Sequence, residues 1–188
     1  MKVISFYSNE KQLIKRAVSG NQSAQQAIYD KFAAKMLSVC RHYIKDLQYA
    51  EDVMVSGFVK VFKGLHSFEH RGSFEGWIRR IMVRESISFL RKRQFVVYDD
   101  DQLQNQYDQN SLDSSLTEVE HIQALIDALP EGYKMVFVLY AVEGYKHQEI
   151  AKMLDITEGT SKSQLFKARK LLQENLKLRG VTYGVHQK

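Results

Sequence analysis

The chain has 188 residues, a formal net charge of +5, 44% hydrophobic and 26% charged side chains, one proline and one cysteine. That is enough for one compact domain or two small ones, with no intramolecular disulfide and the thiol usage of a reducing cytoplasm. The longest apolar run, Met135 to Val142, is far short of a membrane span, and "MKVISFYSNEKQ" lacks the apolar core and cleavage site of a secretory signal.

Charge is segregated along the chain. No Lys or Arg lies between Arg93 and Lys134, and that gap holds nine acids, which leaves 27 basic against 13 acidic side chains in the rest. Two basic blocks flanking an acidic middle favour a polyanion such as nucleic acid, because neutralised phosphates release counterions. Solvated charge spread over ordinary surface is the competing reading.

The first block, residues 1–94, reads as helical. In "QLIKRAVSGNQSAQQAIYDKFAAKMLSVCRHYI" apolar residues recur at spacings of three and four, among them Ala27, Ile28, Phe32, Met36, Leu37 and Cys40. Asp46 to Leu65 is a second long helix, with Leu47, Ala50, Met54, Phe58, Val61 and Leu65 on a core stripe. Val55, Val59 and Phe62 form a second stripe, which implies either deep burial or a partner.

A third helix is predicted from an N-cap at Ser73 to about Arg93. Phe74, Ile78, Ile81, Met82 and Phe89 face its core. Glu85 falls on the same stripe, where a buried salt bridge is the one available account. Arg80, Arg84 and Arg91 form a cationic stripe. Before it stand Phe68, His70, Arg71 and Trp77, aromatic and basic residues suited to stacking unpaired bases. Phe74 reads as core, and Trp77 divides evenly between core and binding.

Residues 95–116, including "YDDDQLQNQYDQNSLDSS", hold too few apolar groups to offset the entropy of ordering, and read as a flexible acidic linker. The second block, 117–178, predicts helices at about 118–128, 131–143, 146–154 and 158–177, followed by a tail at 179–188. Gly144 reads as a C-cap and Thr157 as the N-cap of the last helix. A short helix, a tight turn and a longer basic helix form the helix-turn-helix pattern.

In that last helix, Ser161, Leu165, Ala168 and Leu172 share the inward face, so Lys162, Ser163, Phe166, Lys167 and Lys170 face outward. Lysines can neutralise phosphates, Ser163 can hydrogen-bond a base edge, and Phe166 can pack on a thymine methyl. Packing of Phe166 on a neighbouring helix is the alternative.

Two stretches resemble a known family. "YAEDVMVSGFVKVFKGLHSFEHRGSFEGWIRRIMVRESISFLRKR" is similar to the central domain of bacterial sigma factors, and "LPEGYKMVFVLYAVEGYKHQEIAKMLDITEGTSKSQLFKARKLL" to their promoter-binding C-terminal domain. Their order and spacing resemble the short extracytoplasmic-function subfamily. The resemblance implies an all-α protein: two small helical domains joined by the acidic linker, the C-terminal one containing the helix-turn-helix.

Roles follow from the resemblance. Asp52, Val55, Ser56, Val59 and Lys60 would dock on a coiled coil of core RNA polymerase. Phe68, His70, Arg71, Trp77, Arg80, Arg84 and Arg91 would recognise and melt the −10 element of promoter DNA. Lys162, Ser163 and Phe166 would read the −35 element, with Lys167 on the same DNA-binding face and Tyr145, Lys146 and Arg169 nearer phosphates. The linker would thread through the polymerase as a placeholder for RNA. An anti-sigma factor is a further partner that many relatives have and no residue here identifies.

The chain departs from the family's "I-x-x-N-x-x-x-D-x-L-R" at Arg84 and Ser88. Arg84 would add phosphate contact and reduce base discrimination. No motif supports catalysis, a cofactor or a metal site: the histidines are scattered, and Cys40 and His42 lack ligand spacing. The rival readings are a stand-alone helix-turn-helix regulator and, from another class, a nucleic-acid-processing enzyme.

Overall fold

The computed structural model describes residues 10–97 and 118–178. The expected linker, apart from its start, and the expected tail lie outside those residues. The chain divides into two compact units, 1–101 and 102–188.

In the first unit, α1 (Glu10–Val18) and α2 (Gln22–Tyr43) are joined at Gly20, whose φ of +81° suits a residue without a Cβ. The Asn21 side chain then caps α2 by accepting from the Ala24 N–H at 2.9 Å. Asp46 does the same for α3 (Leu47–Gly64), accepting from Tyr49 at 3.0 Å. A 3₁₀ turn, Leu65–Ser67, leads into the loop before α4 (Phe74–Val97). As expected, Ser73 caps α4, its Oγ accepting from the Gly76 N–H at 3.1 Å. The helix runs on past Gln94, where the first block was expected to end.

The core lies where α2, α3 and α4 meet, filled by Ile28, Phe32, Met36, Val61, Phe74, Ile78 and Met82. Its lone cysteine, Cys40, is buried, and burial pushes its thiol pKa up to about 11 despite a hydrogen bond from Ser86.

Several core expectations shift. Leu47 is 55% exposed, because buried Ile44 fills that end of the core and Leu47 opens its helix beyond it. Val53 and Gly57 join the inward face of α3 instead. Ala27 and Leu37 are half-buried, while Ala24, Val39 and Tyr43 are buried. On α4, Ile81 and Phe89 are half-buried, whereas Val83, Ser86 and Ile87 are buried, since α4 packs on both α2 and α3 and hides a wider face. Glu85 is paired: its carboxylate lies 2.5 Å from Lys60 Nζ.

The second unit contains α5 (Glu118–Asp127), α6 (Glu131–Phe137), α7 (His147–Leu154) and α8 (Glu158–Leu178). The helix expected over 131–143 is α-helical only to Phe137 and widens into a π turn over Val138–Val142. Gly144 has φ +78°, consistent with its expected place past the helix end. Asp155 closes α7 in the left-handed conformation, and Thr157 Oγ1 caps α8 through the Thr160 N–H at 3.0 Å. A buried ion pair, Lys134 to Asp127 at 2.5 Å, ties α5 to α6. All described elements are helical.

Candidate nucleic-acid and partner interfaces

The outward face of α8 follows from its inward one. Ser161, Leu165 and Ala168 are buried and Leu172 half-buried, so Lys162, Ser163, Phe166, Lys167, Arg169 and Lys170 project to solvent. Phe166 is 70% exposed, the most exposed large apolar side chain among the described residues, which removes the alternative that it packs within its own unit.

The cations around it are held at defined places. Lys162 pairs with Glu158 at 2.7 Å, and the hydrogen bond and charge of Lys162 hold the Glu158 carboxyl below its usual range. Lys167 Nζ lies 5.7 Å from the Tyr133 ring, and the Arg169 guanidinium 5.5 Å from the Tyr140 ring. Ser163 Oγ donates to the Thr160 carbonyl at 3.0 Å.

Where α7 meets α8, His147 Nδ1 lies 2.9 Å from the hydroxyl of buried Ser161. Lys146 is exposed and Tyr145 half-buried; the Lys146 N–H donates to the Glu149 carboxylate at 2.8 Å. The result is a short helix crossing behind a longer one whose free face is cationic around an aromatic centre.

In the first unit, Phe68 requires a correction. Expected to contact bases, it is only 9% exposed, with its ring against His70 at 4.8 Å, Phe74 at 5.1 Å and Trp77 at 5.5 Å. The 3₁₀ turn swings it under the loop as an apolar anchor, so it supports the loop and leaves little ring for a base.

What the loop presents is His70, in the left-handed region at φ +57°, Arg71 and Gly72. Arg71 Nε lies 3.1 Å from Glu69. Trp77 is half-buried and nearly parallel to Phe74, 13° at 5.9 Å, so one part of it packs and another stays open. Arg80, Arg84 and Arg91 are exposed along α4, and Arg80 Nε donates to the Gly76 carbonyl.

The outer face of α3 is the third surface. Asp52, Val55, Ser56, Val59 and Lys60 are all exposed, with Val55 at 50% and Val59 at 46%, so the second apolar stripe is not deeply buried. Phe62, which completes it, is half-buried and stacks on Phe58. Val55 also borders a groove of about 300 Å³ between α2 and α3, with Tyr29, Ala33, Ala34, Leu37, Glu51 and Met54. The α2 wall of that groove went unnoticed in the sequence; the adjacent small residues Ala33 and Ala34 are the signal that could have marked it.

Among the described residues no group of His, Cys, Asp or Glu could hold a metal ion, and no helix is long and apolar enough to cross a membrane.

Comparison with known proteins matches both halves. The Sigma-70 region 2 model matches residues 28–96 and the Sigma-70, region 4 model residues 120–172, together more than half of the chain. The ECF RNA polymerase sigma factor SigW of Bacillus subtilis (strain 168) is 27% identical over 180 residues, 89% of this chain and 96% of that protein. The ECF RNA polymerase sigma-E factor of Escherichia coli (strain K12) is 25% identical over 179 residues, 87% and 92% of the two chains. Among solved structures, the sigma factor RpoE bound to the anti-sigma factor NepR, from Bartonella quintana, is similar in fold. Its TM-score is 0.56 at 21% identity, covering 81% of this chain and 96% of that one.

Proposed function

Because the chain belongs to the sigma-70 family, in its extracytoplasmic-function subfamily with regions 2 and 4 both matched, we propose a division of labour between its two units. The protein is a sigma factor that directs promoter-specific transcription initiation. The outer face of α3, centred on Val55 and Val59, docks on core RNA polymerase. The loop carrying His70 and Arg71, with Trp77, Arg80, Arg84 and Arg91, engages and opens the −10 element. The free face of α8 reads the −35 element. The protein works in the cytoplasm and carries out no bond chemistry of its own; it positions a larger machine. The domain limits in this reading are 1–94 and 117–178, joined by the acidic linker.

The observation that carries the −35 assignment is the exposed Phe166, ringed by Lys162, Ser163, Lys167 and Arg169. An apolar ring standing free among cations is costly to leave in water and serves a duplex well: the cations meet phosphates and the ring meets a methyl in the major groove. The similar chain from Bartonella quintana is bound to an anti-sigma factor. A comparable partner here would act by covering the α3 face that polymerase needs.

Transcription in vitro with core polymerase and a promoter library tests the assignment. Added protein restores initiation at a defined promoter set; failure to bind core polymerase overturns it and leaves the stand-alone regulator. In the same system Lys162→Ala lowers the salt dependence of promoter binding by about one phosphate's worth, a slope change of ~0.9. An unchanged slope removes Lys162 from phosphate contact.

A further inference from the structure

The π turn that closes α6 has a consequence for DNA binding. Its backbone is well satisfied: the Glu143 N–H donates to the Val138 carbonyl at 3.0 Å and the Tyr145 N–H to the Leu139 carbonyl at 2.9 Å. Such turns are rare and rotate the residues within them out of α-helical register. Tyr140 is the middle residue of this turn.

Its ring has two neighbours on two other helices. It stacks on the imidazole of His147, the first residue of α7, at 4.7 Å and 23°. The guanidinium of Arg169, on α8, lies 5.5 Å from its centroid. His147 is in turn 2.9 Å from Ser161, a buried residue on α8. One aromatic ring therefore joins the three helices of the helix-turn-helix region, and its cationic partner is an otherwise exposed arginine.

An exposed arginine has considerable rotamer entropy, part of which is lost when it meets a phosphate. Holding it beforehand lowers that cost. A guanidinium held over a ring face keeps its charge, and the π face takes the place of no hydrogen-bond acceptor, so N–H groups at its edge remain for a phosphate.

We propose that Tyr140 is a positioning residue for promoter binding: its ring holds Arg169 in place for a DNA phosphate and, through His147, fixes α7 against α8. The inference rests on the reading of α8 as the −35 helix. It assigns Tyr140 a role in recognition that acts through Arg169.

The test measures binding of polymerase assembled with the full chain to a −35 duplex across a salt series. The variants are Tyr140→Phe, Tyr140→Leu, Arg169→Ala and the double variant Tyr140→Leu/Arg169→Ala. Tyr140→Phe keeps the ring and stays within about twofold of the parent. Arg169→Ala loses about tenfold and one phosphate's worth of salt slope, and Tyr140→Leu loses about threefold to tenfold with a reduced slope. The double variant is no more than about twofold weaker than Arg169→Ala, since both act through one contact.

Multiplying effects in the double variant, or an unchanged slope in Tyr140→Leu, overturn the proposal. If Arg169→Ala itself leaves affinity and slope unchanged, the underlying reading of Arg169 is wrong, and the proposal falls with it. Should Tyr140→Leu not fold, the free protein still decides: ring-current shifts of the Arg169 side-chain protons appear in the parent and in Tyr140→Phe, and their absence sinks the clamp.

Discussion

Phe166→Ala separates the interface from the fold more cleanly than any other single change. The side chain is 70% exposed, so its removal takes little from the core. Surface substitutions of that kind alter stability by about 0.5 kcal/mol or less, and alanine's better helix propensity adds a few tenths in its favour. Thermal unfolding should therefore be unchanged or slightly improved. Binding should not. At 70% exposure a phenylalanine of roughly 200 Å² shows about 140 Å², and covering half of it at ~25 cal/mol per Å² gives about 1.7 kcal/mol, roughly fifteenfold in affinity. Competition binding of assembled polymerase to labelled −35 duplexes reads this directly. Replacing thymidines one at a time by deoxyuridine removes single methyl groups. One position should weaken the parent and leave Phe166→Ala indifferent. If no position behaves so, or if the variant loses the same factor on every duplex, Phe166 does not contact a methyl. If it unfolds early, the ring is structural after all.

The remaining predictions address other surfaces. Val59→Asp places a charge in the centre of the exposed stripe on α3 and should weaken core polymerase binding at least about 100-fold, with the melting temperature nearly unchanged; retained binding removes that face from the docking surface. Lys134→Met removes the cation beside the buried Asp127 carboxylate and should destabilise the second unit by about 3–5 kcal/mol in urea unfolding, whereas adding Asp127→Leu should recover most of it. The Glu158 carboxyl, held down first by its hydrogen bond from Lys162, should titrate below its ordinary 4.5 in a carbon-detected pH series and return towards 4.5 in Lys162→Ala. Its folded value is the lower one, so the pair's contribution is present above the unfolded carboxylate value and disappears as pH falls through the folded one. A midpoint at 4.5 in the parent would dissolve the pair.

What could be read in advance was whatever depends on one helix at a time. Ser161, Leu165 and Ala168 share a face by spacing alone, so the exposure of Lys162, Ser163 and Phe166 followed without any tertiary knowledge. The caps at Ser73 and Thr157 were legible for the same reason, since a hydroxyl before a helix meets its own chain. What escaped depends on neighbours. Phe68 and His70 are nearly adjacent and chemically similar, yet one is an anchor and the other is presented, because the 3₁₀ turn and Phe74 decide which ring has a place to go. Leu47 has core chemistry and no core above it once Ile44 has filled that end. The π turn has no propensity signature, so the ring it places between α7 and α8 was invisible.

The two surfaces of the first unit proposed above to meet polymerase and promoter lie on helices that pack directly on each other. A Cβ at Gly57 would sit 2.3 Å from Met82 Sδ, so the Met82 side chain of α4 packs into the place a side chain on α3 would take. Met82 is fully buried. One turn further along α3, Lys60 crosses to Glu85, whose side chain is only 15% exposed, next to the exposed Arg84. Val55 and Val59 stand on either side of Gly57 on the one helix, and Arg80 and Arg84 stand on either side of Met82 on the other. A surface that docks on α3 therefore cannot tilt that helix without moving the arginines of α4. Glu85, an acid on an apolar stripe, is accounted for by this: its carboxylate ties Lys60 of α3 to α4. Lys60 is accordingly a tether between the two helices before it is a contact for any partner.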